Sequence, residues 1–462
     1  MNLSDIKKIF FIGIGGIGIS ATAGLLQAMG KEVVGSDAQA GEMVEKLRQS
    51  GIEINVPHSP ENITADIELA VYSVAVPEDN SERLKAKELK IPELTYPQLL
   101  GEMMKDKYGI GVSGTDGKTT TTAMIGKILL DAGLDPTIII GSKVDYLDGN
   151  YRLGQSKYFV FEADEYRRAF DNYSPKLAVI TNIGLDHLDY YKDQEEYLDA
   201  FKSYLKKLTP DNFVVINNDD DNSIAAELKC LAQPITFSLQ NKSDFQAKDI
   251  AVTGEPASPD TSRGGHQIFR LGEQQFKIKL PGHYNVANAV TAIAAARVLE
   301  IDWEIIKKSL EGFNGAWRRF ERLGKLGQAE VIADYAHTPD AVAKVIQATK
   351  EFYPAKKILT VFQPHQYART KNLFDGFAGA FREAHQVVIP NIFYVVGREN
   401  PEDFDVSSKK LTEAIKDRGV KAVYGGDSME SEKLVRGIGQ DFDIILILGA
   451  GDVYELAKNL VK

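Results

Sequence analysis

Cysteine is nearly absent from the sequence, and basic residues do not outnumber acidic ones. Cys230 is the only cysteine among 462 residues, which excludes a disulfide framework or a cysteine-based zinc site within one chain. The formal net charge is −11, and an acidic balance of this size argues against a nucleic-acid-binding surface. The sequence therefore favours a reducing, cytoplasmic location and predicts no nucleic-acid partner.

Long hydrophobic runs are also lacking. The uncharged stretch 9–30 contains five glycines between Gly13 and Gly24, so it is a poor membrane helix or signal peptide. Its letters "KKIFFIG" and "GIGGIG" instead predict a strand followed by a turn. Hydrophobic residues make up 44% and charged residues 26% of the chain, which is typical of a globular protein. We therefore expect no membrane insertion.

Short apolar runs alternate with helical stretches in three successive series along the chain. The first series contains "KEVVGSD" and "ELAVYSV", the second "YFVFEADE" and "KLAVITNIG", and the third "KKILTVFQ" and "DIILILGAG". This alternation predicts parallel sheets with crossover helices. We expect an α/β fold of three consecutive α/β domains, namely a Rossmann-like domain (1–108), a central P-loop domain (109–322) and a second Rossmann-like domain (323–462).

The region between the second and third series has a different character. Residues 241–265 are polar and rich in Gly, Ser, Pro and Asp, which predicts a loop. The letters "HQIFRLGEQQFKIKL" after it predict a hairpin, and the alanine-rich "YNVANAVTAIAAARVLE" predicts a helix.

The first glycine motif, "GIGGIG" at 13–18, predicts a phosphate-binding turn. It matches G-x-G-x-x-G between a strand and a helix, and Asp37 follows the next strand about 20 residues on. Such glycines let backbone N–H groups approach a diphosphate at a helix N-terminus. The motif does not separate NAD from another diphosphate such as a UDP-sugar.

The second glycine motif, "GVSGTDGKTTTT" at 111–122, predicts a nucleoside-triphosphate site. Val112 replaces the first glycine of the strict P-loop pattern, but Gly114, Gly117, Lys118 and Thr119 remain. A lysine in this place meets the β and γ phosphates, and the threonine hydroxyl ligates Mg²⁺. Asp116 stands out, because it places a carboxylate where the ligand is an anion.

Two acidic clusters follow the strands of the second series. We expect them to lie near the second motif, because ligands of α/β sheets gather at the carboxyl ends of the strands. Carboxylates and a neutral imidazole are suitable ligands for Mg²⁺. The clusters are Glu162, Asp164 and Glu165, followed by Asp186, His187 and Asp189.

Several motifs together resemble the Mur ligases in order and spacing. They are "GTDGKTTTT", "EADEY", "TNIGLDHLD", "GHYNVANAVTAIA", "WRRFE", "DYAHTPDAV", "FQPHQYART" and "LGAGD". With "GIGGIGIS" they resemble the alanine-adding members most. The resemblance implies that 1–108 bind a UDP-sugar, 109–322 form the ATPase and 323–462 bring the amino acid.

The activity implied by this resemblance is ATP-dependent amide formation in peptidoglycan precursor synthesis. The lactyl carboxylate of UDP-N-acetylmuramate would become an acyl phosphate, which the amine of L-alanine attacks. ATP and Mg²⁺ are the implied cofactors, and the oligomeric state stays open.

Site residues are implied one motif at a time. The catalytic residues would be Lys118, Glu162, His187 and Lys202, and the metal ligands Thr119, Glu162 and His187. ATP would contact Gly114, Thr115, Asp116, Gly117, Lys118, Thr119, Thr120, Asn285, Asn288, Arg319 and Asp334. The UDP-sugar would contact Gly15, Gly16, Ile17, Gly18, Asp37 and Ser73. The amino acid would contact His337, His365 and Arg369.

Departures from the family pattern leave alternatives open. Gln366 stands where alanine-adding relatives commonly have arginine. The motif "DYAHTPDAV" is similar to that of diaminopimelate- or lysine-adding ligases, and "EADEYRRAF" is similar to that of a tripeptide-recycling ligase. Lys202 has the spacing of a carbamoylated lysine in other Mur ligases, or it is a solvated helix lysine. Arg167 or Arg168 would pair with Asp116, unless Asp116 points to solvent. A non-catalytic nucleotide-binding regulator and a nicotinamide oxidoreductase are further hypotheses.

Overall fold

The computed structural model describes residues 3–187, 190–253, 265–395 and 399–462. Two compact units are distinguished. The first comprises Met1–Lys248, Arg270–Phe276 and Ala287–Phe313, and the second comprises Asp249–Phe269, Lys277–Val286 and Asn314–Lys462. No helix among these described residues is long and apolar enough to cross a membrane.

The first sheet has five parallel strands in the order β3-β2-β1-β4-β5. Its elements are β1 (Lys8–Ile12), α1 (Ile17–Ala28), β2 (Glu32–Ser36), α2 (Glu42–Gln49), β3 (Glu53–Asn55), β4 (Leu69–Tyr72), α3 (Ser81–Glu88), β5 (Glu93–Thr95) and α4 (Tyr96–Met104). Strand β1 is buried on both faces, as its uninterrupted apolar run predicts. The strand order reverses beside β1, the place where α/β sheets bind ligands.

The second sheet has the order β13-β12-β11-β10-β6-β9-β7-β8, with only β8 antiparallel to its neighbour. Its elements are β6 (Tyr108–Ser113), α5 (Lys118–Asp131), β7 (Thr137–Val144), β8 (Gly149–Arg152), β9 (Tyr158–Glu162), β10 (Leu177–Ile180), α6 (Gln194–Leu205), β11 (Phe213–Asn217), α7 (Asp221–Glu227), β12 (Gln233–Ser238) and β13 (Phe245–Gln246). Because β6 lies between β9 and β10, the P-loop and both acidic clusters follow adjacent strands.

A three-stranded sheet and two helices come next in the chain. They are β14 (Lys248–Thr253), β15 (His266–Leu271), β16 (Gln274–Ile278), α8 (His283–Val298) and α9 (Trp303–Glu311). The predicted hairpin and alanine-rich helix are confirmed. The loop predicted over 241–265 is wrong for β13 and β14; residues 254–264 lie outside the described part. Most side chains of β14 are exposed, so no apolar alternation marked it as a strand.

Among the described residues, the last sheet has six strands in the order β17-β18-β22-β19-β20-β21, and only β17 is antiparallel. Its elements are β17 (Glu321–Leu326), β18 (Ala329–Asp334), α10 (Pro339–Phe352), β19 (Ile358–Phe362), α11 (Tyr367–Asn372), α12 (Phe374–Gly379), β20 (Gln386–Pro390), α13 (Ser408–Asp417), β21 (Ala422–Gly426), α14 (Ser428–Ile438), β22 (Ile444–Leu448) and α15 (Val453–Leu460). The α/β class is confirmed, while the domain boundaries after residues 108 and 322 remain proposals.

Candidate active site

The first glycine loop joins β1 to α1 and is held by Asp37. Gly13 adopts φ +75°, and the Gly15 N–H donates to Asp37 Oδ2 at 2.8 Å. A Cβ on Gly15 would lie 2.9 Å from that same oxygen. In a dinucleotide fold the corresponding acid binds a ribose, but this Asp37 carboxylate binds the glycine loop itself.

The remaining residues predicted for the UDP-sugar surround the same loop. Gly16 precedes the first turn of α1. The Ile17 carbonyl accepts a hydrogen bond from Asn150 Nδ2 at 2.9 Å, and a Cβ on Gly18 would lie 3.0 Å from the Tyr96 hydroxyl. Ser73 packs beside Gly13, since a Cβ on Gly13 would lie 3.3 Å from Ser73 Cβ. The structure thus brings the loop, Asp37 and Ser73 together.

The second loop joins β6 to α5 and is fastened to the segment after β10. The Thr115 N–H donates to the Asn182 carbonyl at 2.9 Å, and the Asp116 carbonyl accepts from Thr181 Oγ1 at 2.6 Å. Gly117 caps α5 with φ +84°. A Cβ there would lie 2.3 Å from Asn288 Oδ1, so the loop approaches Asn288 as only glycine allows.

Lys118 forms a buried ion pair with Glu165. Its Nζ lies 2.8 Å and 2.9 Å from the two carboxylate oxygens, and the Glu165 side chain is fully buried. Burial alone would lower the pKa of Lys118, but Glu165 and Asp164 outweigh it and raise that pKa. Burial would raise the pKa of Glu165, but Lys118 and His187 lower it. Both groups are therefore charged.

Glu165 also connects Lys118 to two other side chains. His187 Nε2 lies 3.4 Å from Glu165 Oε1, and the Tyr197 hydroxyl donates to the same oxygen at 3.3 Å. Burial opposes a charge on His187, but Glu165 and Asp186 raise the pKa of its imidazole. Tyr197 also lies 3.0 Å from Thr115 Oγ1, so one carboxylate links the P-loop to α6.

Thr119 and Glu162 form the second polar pair of the site. Thr119 Oγ1 donates to Glu162 Oε2 at 3.1 Å, and the Gly141 N–H donates to Glu162 Oε1 at 2.5 Å. A hydroxyl and a carboxylate this close form a donor set that suits Mg²⁺. Thr120, the next residue of α5, is also buried.

A second group of potential metal ligands lies beside this pair. Ligand atoms of Asp164, Glu165 and His187 all lie within 4.8 Å of one another. The surrounding protein atoms and, after them, the Glu165 carboxylate raise the pKa of Asp164, although part of this residue is still open to solvent. Of the residues predicted for this cluster, Asp189 lies outside the described part of the chain.

The two asparagines predicted to contact adenine are both buried. Asn285 Nδ2 donates to the Pro281 carbonyl at 2.7 Å. Asn288 Oδ1 accepts from Thr121 Oγ1 at 3.3 Å. Their side chains are thus held in place by neighbouring groups.

Asp334 is the last residue of β18, and Arg319 lies in the segment before β17. Asp334 is buried and accepts N–H groups from Phe320 and Ala336, each at 2.8 Å. Burial raises its pKa even though Arg319 and these two donors oppose the shift. The Arg319 guanidinium lies 4.9 Å from the Tyr335 ring centre.

The three residues predicted for the amino acid follow β18 and β19. The His337 and His365 rings are 6.4 Å apart, and Arg369 Nη1 lies 3.3 Å from His365 Nδ1. The Phe393 ring stacks on His365 at 5.3 Å, a contact that sequence reasoning missed because no motif marks Phe393. Gln366 lies at the N-cap of α11, with φ +67°.

Comparisons with known proteins agree with one another. The profile "Mur ligase family, catalytic domain" matches residues 8–108, "Mur ligase middle domain" matches 112–296, and "Mur ligase, glutamate ligase domain" matches 318–451. The chain is 40% identical over 463 residues to the UDP-N-acetylmuramate–L-alanine ligase of Acetivibrio thermocellus, covering 99% of this chain and 96% of the relative. It is 37% identical over 465 residues to that of Caldanaerobacter subterraneus, covering 100% and 99%.

The chain belongs to the Mur ligase family. A crystal structure of UDP-N-acetylmuramate-alanine ligase from Thermotoga maritima has a TM-score of 0.82 and 30% identity, with 98% of each chain covered. A murein peptide ligase from Psychrobacter arcticus shares the fold, with a TM-score of 0.69, 22% identity and 98% of each chain covered. As a Mur ligase the chain is an ATP-dependent ligase, and the oxidoreductase hypothesis is set aside.

Two sequence hypotheses about this Mur ligase find no contact to support them. Lys202 forms an ion pair with Asp199 at 3.0 Å, one turn earlier on α6. Within the described ranges, no hydrogen bond or ion pair joins Lys202 to the P-loop cluster, and none joins Asp116 to Arg167 or Arg168. Arg168 pairs with Asp171 at 2.7 Å, and Arg167 donates to the Val74 carbonyl at 3.4 Å.

The structure gives two further residues of the Mur ligase roles that the sequence alone does not predict. The sequence predicts Glu165 as one member of an acidic cluster, but the letters "EADEY" do not tell which carboxylate faces Lys118. For the motif "WRRFE" the resemblance implies a role for Arg319 only, but Arg318 also has a structural role. It is buried and donates to the Gly449 and Gly451 carbonyls at 3.0 Å and 2.6 Å, which fixes the "LGAGD" loop.

Proposed function

We propose that this Mur ligase uses ATP to join L-alanine to the lactyl carboxylate of UDP-N-acetylmuramate. The observation that carries the proposal is the charged cluster at the P-loop, where Lys118 and Thr119 meet Glu165 and Glu162. Relatives that match the whole chain have this activity in their names. The product would serve peptidoglycan precursor synthesis, and a cytoplasmic location would supply ATP.

The lactyl carboxylate would attack the γ-phosphate, forming an acyl phosphate and releasing ADP. The amine of L-alanine would then attack the carbonyl carbon, and phosphate would leave as the amide forms. Lys118 would stabilise the transferring phosphoryl group through its positive charge. This ammonium is held against the P-loop, because Lys118 Nζ donates to the Gly114 carbonyl at 2.5 Å. Water exclusion would protect the acyl phosphate from hydrolysis.

Mg²⁺ fits the donor set of Thr119 and Glu162, with His187 beside Glu165 as a ligand for a second ion. Bound there, the metal would neutralise phosphate charge during transfer. Asn285 and Asn288 would contact adenine, and Asp334 and Arg319 the ribose and phosphates. Gly15, Gly16, Ile17, Gly18, Asp37 and Ser73 would hold the UDP moiety. His337, His365 and Arg369 would hold the amino acid, with Arg369 suited to its carboxylate.

Phosphate release tests the proposal directly. Purified protein would be incubated with ATP, Mg²⁺ and UDP-N-acetylmuramate and, in separate reactions, L-alanine, glycine, L-serine, L-lysine, meso-diaminopimelate or the murein tripeptide. We expect release with L-alanine and a product mass larger by one alanyl residue. Release with only the tripeptide would support the recycling alternative. No release with any partner would support a regulator.

A further inference from the structure

The segment after β9 connects the phosphoryl-transfer cluster to the UDP-sugar loop. Glu165 turns inward to Lys118, whereas Arg167 is exposed and its Nη1 donates to the Val74 carbonyl at 3.4 Å. Val74 lies in the turn that begins at Ser73 and closes through the Val76 N–H. That turn packs on the first glycine loop, since a Cβ on Gly13 would lie 3.0 Å from Val76.

Arg167 is held in this position by an unusual backbone. Arg167 and Arg168 both adopt left-handed conformations, with φ of 49° and 57°. Non-glycine residues in this region cost energy and concentrate at functional sites. The Arg167 guanidinium also lies 5.6 Å from the Tyr166 ring centre, and the Tyr166 ring lies 4.7 Å from the His187 ring. The Arg167 guanidinium thus contacts the turn beside the first loop and lies over the ring that packs on His187.

The neighbouring cations are already neutralised, and Arg167 is not. Lys118 pairs with Glu165 and Arg168 pairs with Asp171. Across the described ranges, no carboxylate lies within ion-pairing distance of Arg167. The cluster beside it is acidic and would repel a carboxylate substrate, so an unpaired guanidinium here has a physical use.

We propose that Arg167 binds the lactyl carboxylate of the UDP-sugar substrate. The inference rests on the proposed function, which requires that carboxylate to reach from the UDP-sugar loop to the γ-phosphate. Arg167 contacts the turn beside the first glycine loop. It also lies two residues after Glu165, which contacts Lys118 of the second loop. Its planar fork can hold a carboxylate by two parallel hydrogen bonds, leaving the substrate anion oriented toward the phosphate.

Two ligands that differ only at the lactyl group test this role. Calorimetric titration would compare UDP-N-acetylmuramate with UDP-N-acetylglucosamine, which lacks the lactyl ether. We expect Arg167→Gln to weaken binding of the muramate by about 10- to 100-fold, the range for a lost charge-assisted hydrogen bond. The glucosamine affinity should change less than about twofold. Arg167→Lys keeps the charge without the fork, so we expect an intermediate loss.

Arg168→Gln is the matched control. Arg168 lies in the same left-handed turn, but its guanidinium already pairs with Asp171. This variant should leave the preference for the muramate intact, and all variants should bind ADP as the wild type does. An equal loss for both UDP-sugars, or no loss in Arg167→Gln, would overturn the inference alone. A wild-type chain with no preference for the muramate would overturn the proposed function and this inference with it.

Discussion

Among single residues, the buried Glu165 carboxylate controls the charge that Lys118 presents to a phosphate. Lys118 would be desolvated without compensation if Glu165 were absent, and ATP would meet a lysine that no partner orients. With Glu165 present, the negative charge also lies close to where phosphate charge arrives. The same contact thus orients the lysine and weakens its attraction for nucleotide.

Glu165→Gln should separate these two effects. We expect kcat to fall by about 10- to 100-fold, because the lysine loses its orienting charge. Nucleotide binding should instead become tighter by about 3- to 10-fold, because a negative charge beside the phosphates is gone. Steady-state kinetics and ADP titration measure the two quantities. Glu195→Gln, at an exposed position of α6, should change neither. Weaker ADP binding in Glu165→Gln would contradict the electrostatic effect, and an unchanged kcat would contradict the orienting role.

The pH dependence of stability follows from the same ion pair. Lys118 and His187 lower the pKa of Glu165, so its contribution to folding is present above its ordinary pKa and is lost as pH falls through the lowered one. At pH 7 we expect wild type to exceed Glu165→Gln by about 3 kcal/mol in unfolding free energy. Thermal unfolding should show the difference narrowing in acid. A difference that grows as pH falls would contradict this linkage.

Lys202 offers a residue-scale test of the carbamate hypothesis. Its ammonium pairs with Asp199 on the surface of α6, and Glu165 already supplies a carboxylate beside His187. We therefore expect Lys202→Gln to keep at least about half of the wild-type activity, since exposed ion pairs contribute about 0.2–1 kcal/mol. Activity should not respond to added bicarbonate, and the intact mass should show no carbamate. A strong bicarbonate response lost in Lys202→Gln would restore the catalytic role.

At the scale of elements, the turn from β6 into α5 depends on one glycine. Gly117 has a positive φ, and a Cβ there would meet Asn288 Oδ1 at 2.3 Å. Gly117→Ala should therefore abolish measurable ATP binding. Gly133→Ala is the control, because Gly133 has φ +72° with nothing within 4 Å of its Cβ position. It should cost only about 1 kcal/mol of stability and leave binding unchanged. Equal behaviour of the two variants would show that φ alone matters.

Elements with strong apolar patterns could be predicted from the sequence, and weakly patterned ones could not. Strands β1, β19 and β22 are buried on both faces and are almost entirely apolar. Strand β14 is mostly exposed and β17 carries charges along an edge, so neither shows an apolar run. The same limit applies at the site. The sequence predicts that Glu162, Asp164 and Glu165 lie together. It does not predict the left-handed turn at Arg167 and Arg168, which sets the direction of the chain after this cluster.

For the whole molecule, the predicted sites lie at carboxyl edges of three different parallel sheets. The UDP-sugar loop follows β1, the P-loop follows β6, and the predicted amino-acid residues His337 and His365 follow β18 and β19. Each sheet therefore carries one predicted ligand-binding region. Because these regions lie on separate sheets, we expect that a substitution can abolish ligand binding at one region while another region still binds its ligand.

Thr119→Val tests this independence by removing the hydroxyl while preserving the shape of the side chain. In wild type, ATP with Mg²⁺ at 100 times its Kd should add about 2.7 kcal/mol of stability, and ATP with a chelator should add less. In Thr119→Val the difference between the two nucleotide shifts should become smaller, because the metal loses one of its two protein ligands. The rise in Tm with UDP-N-acetylmuramate should stay at its wild-type size. Loss of that rise as well would mean that the two sheets do not bind their ligands separately.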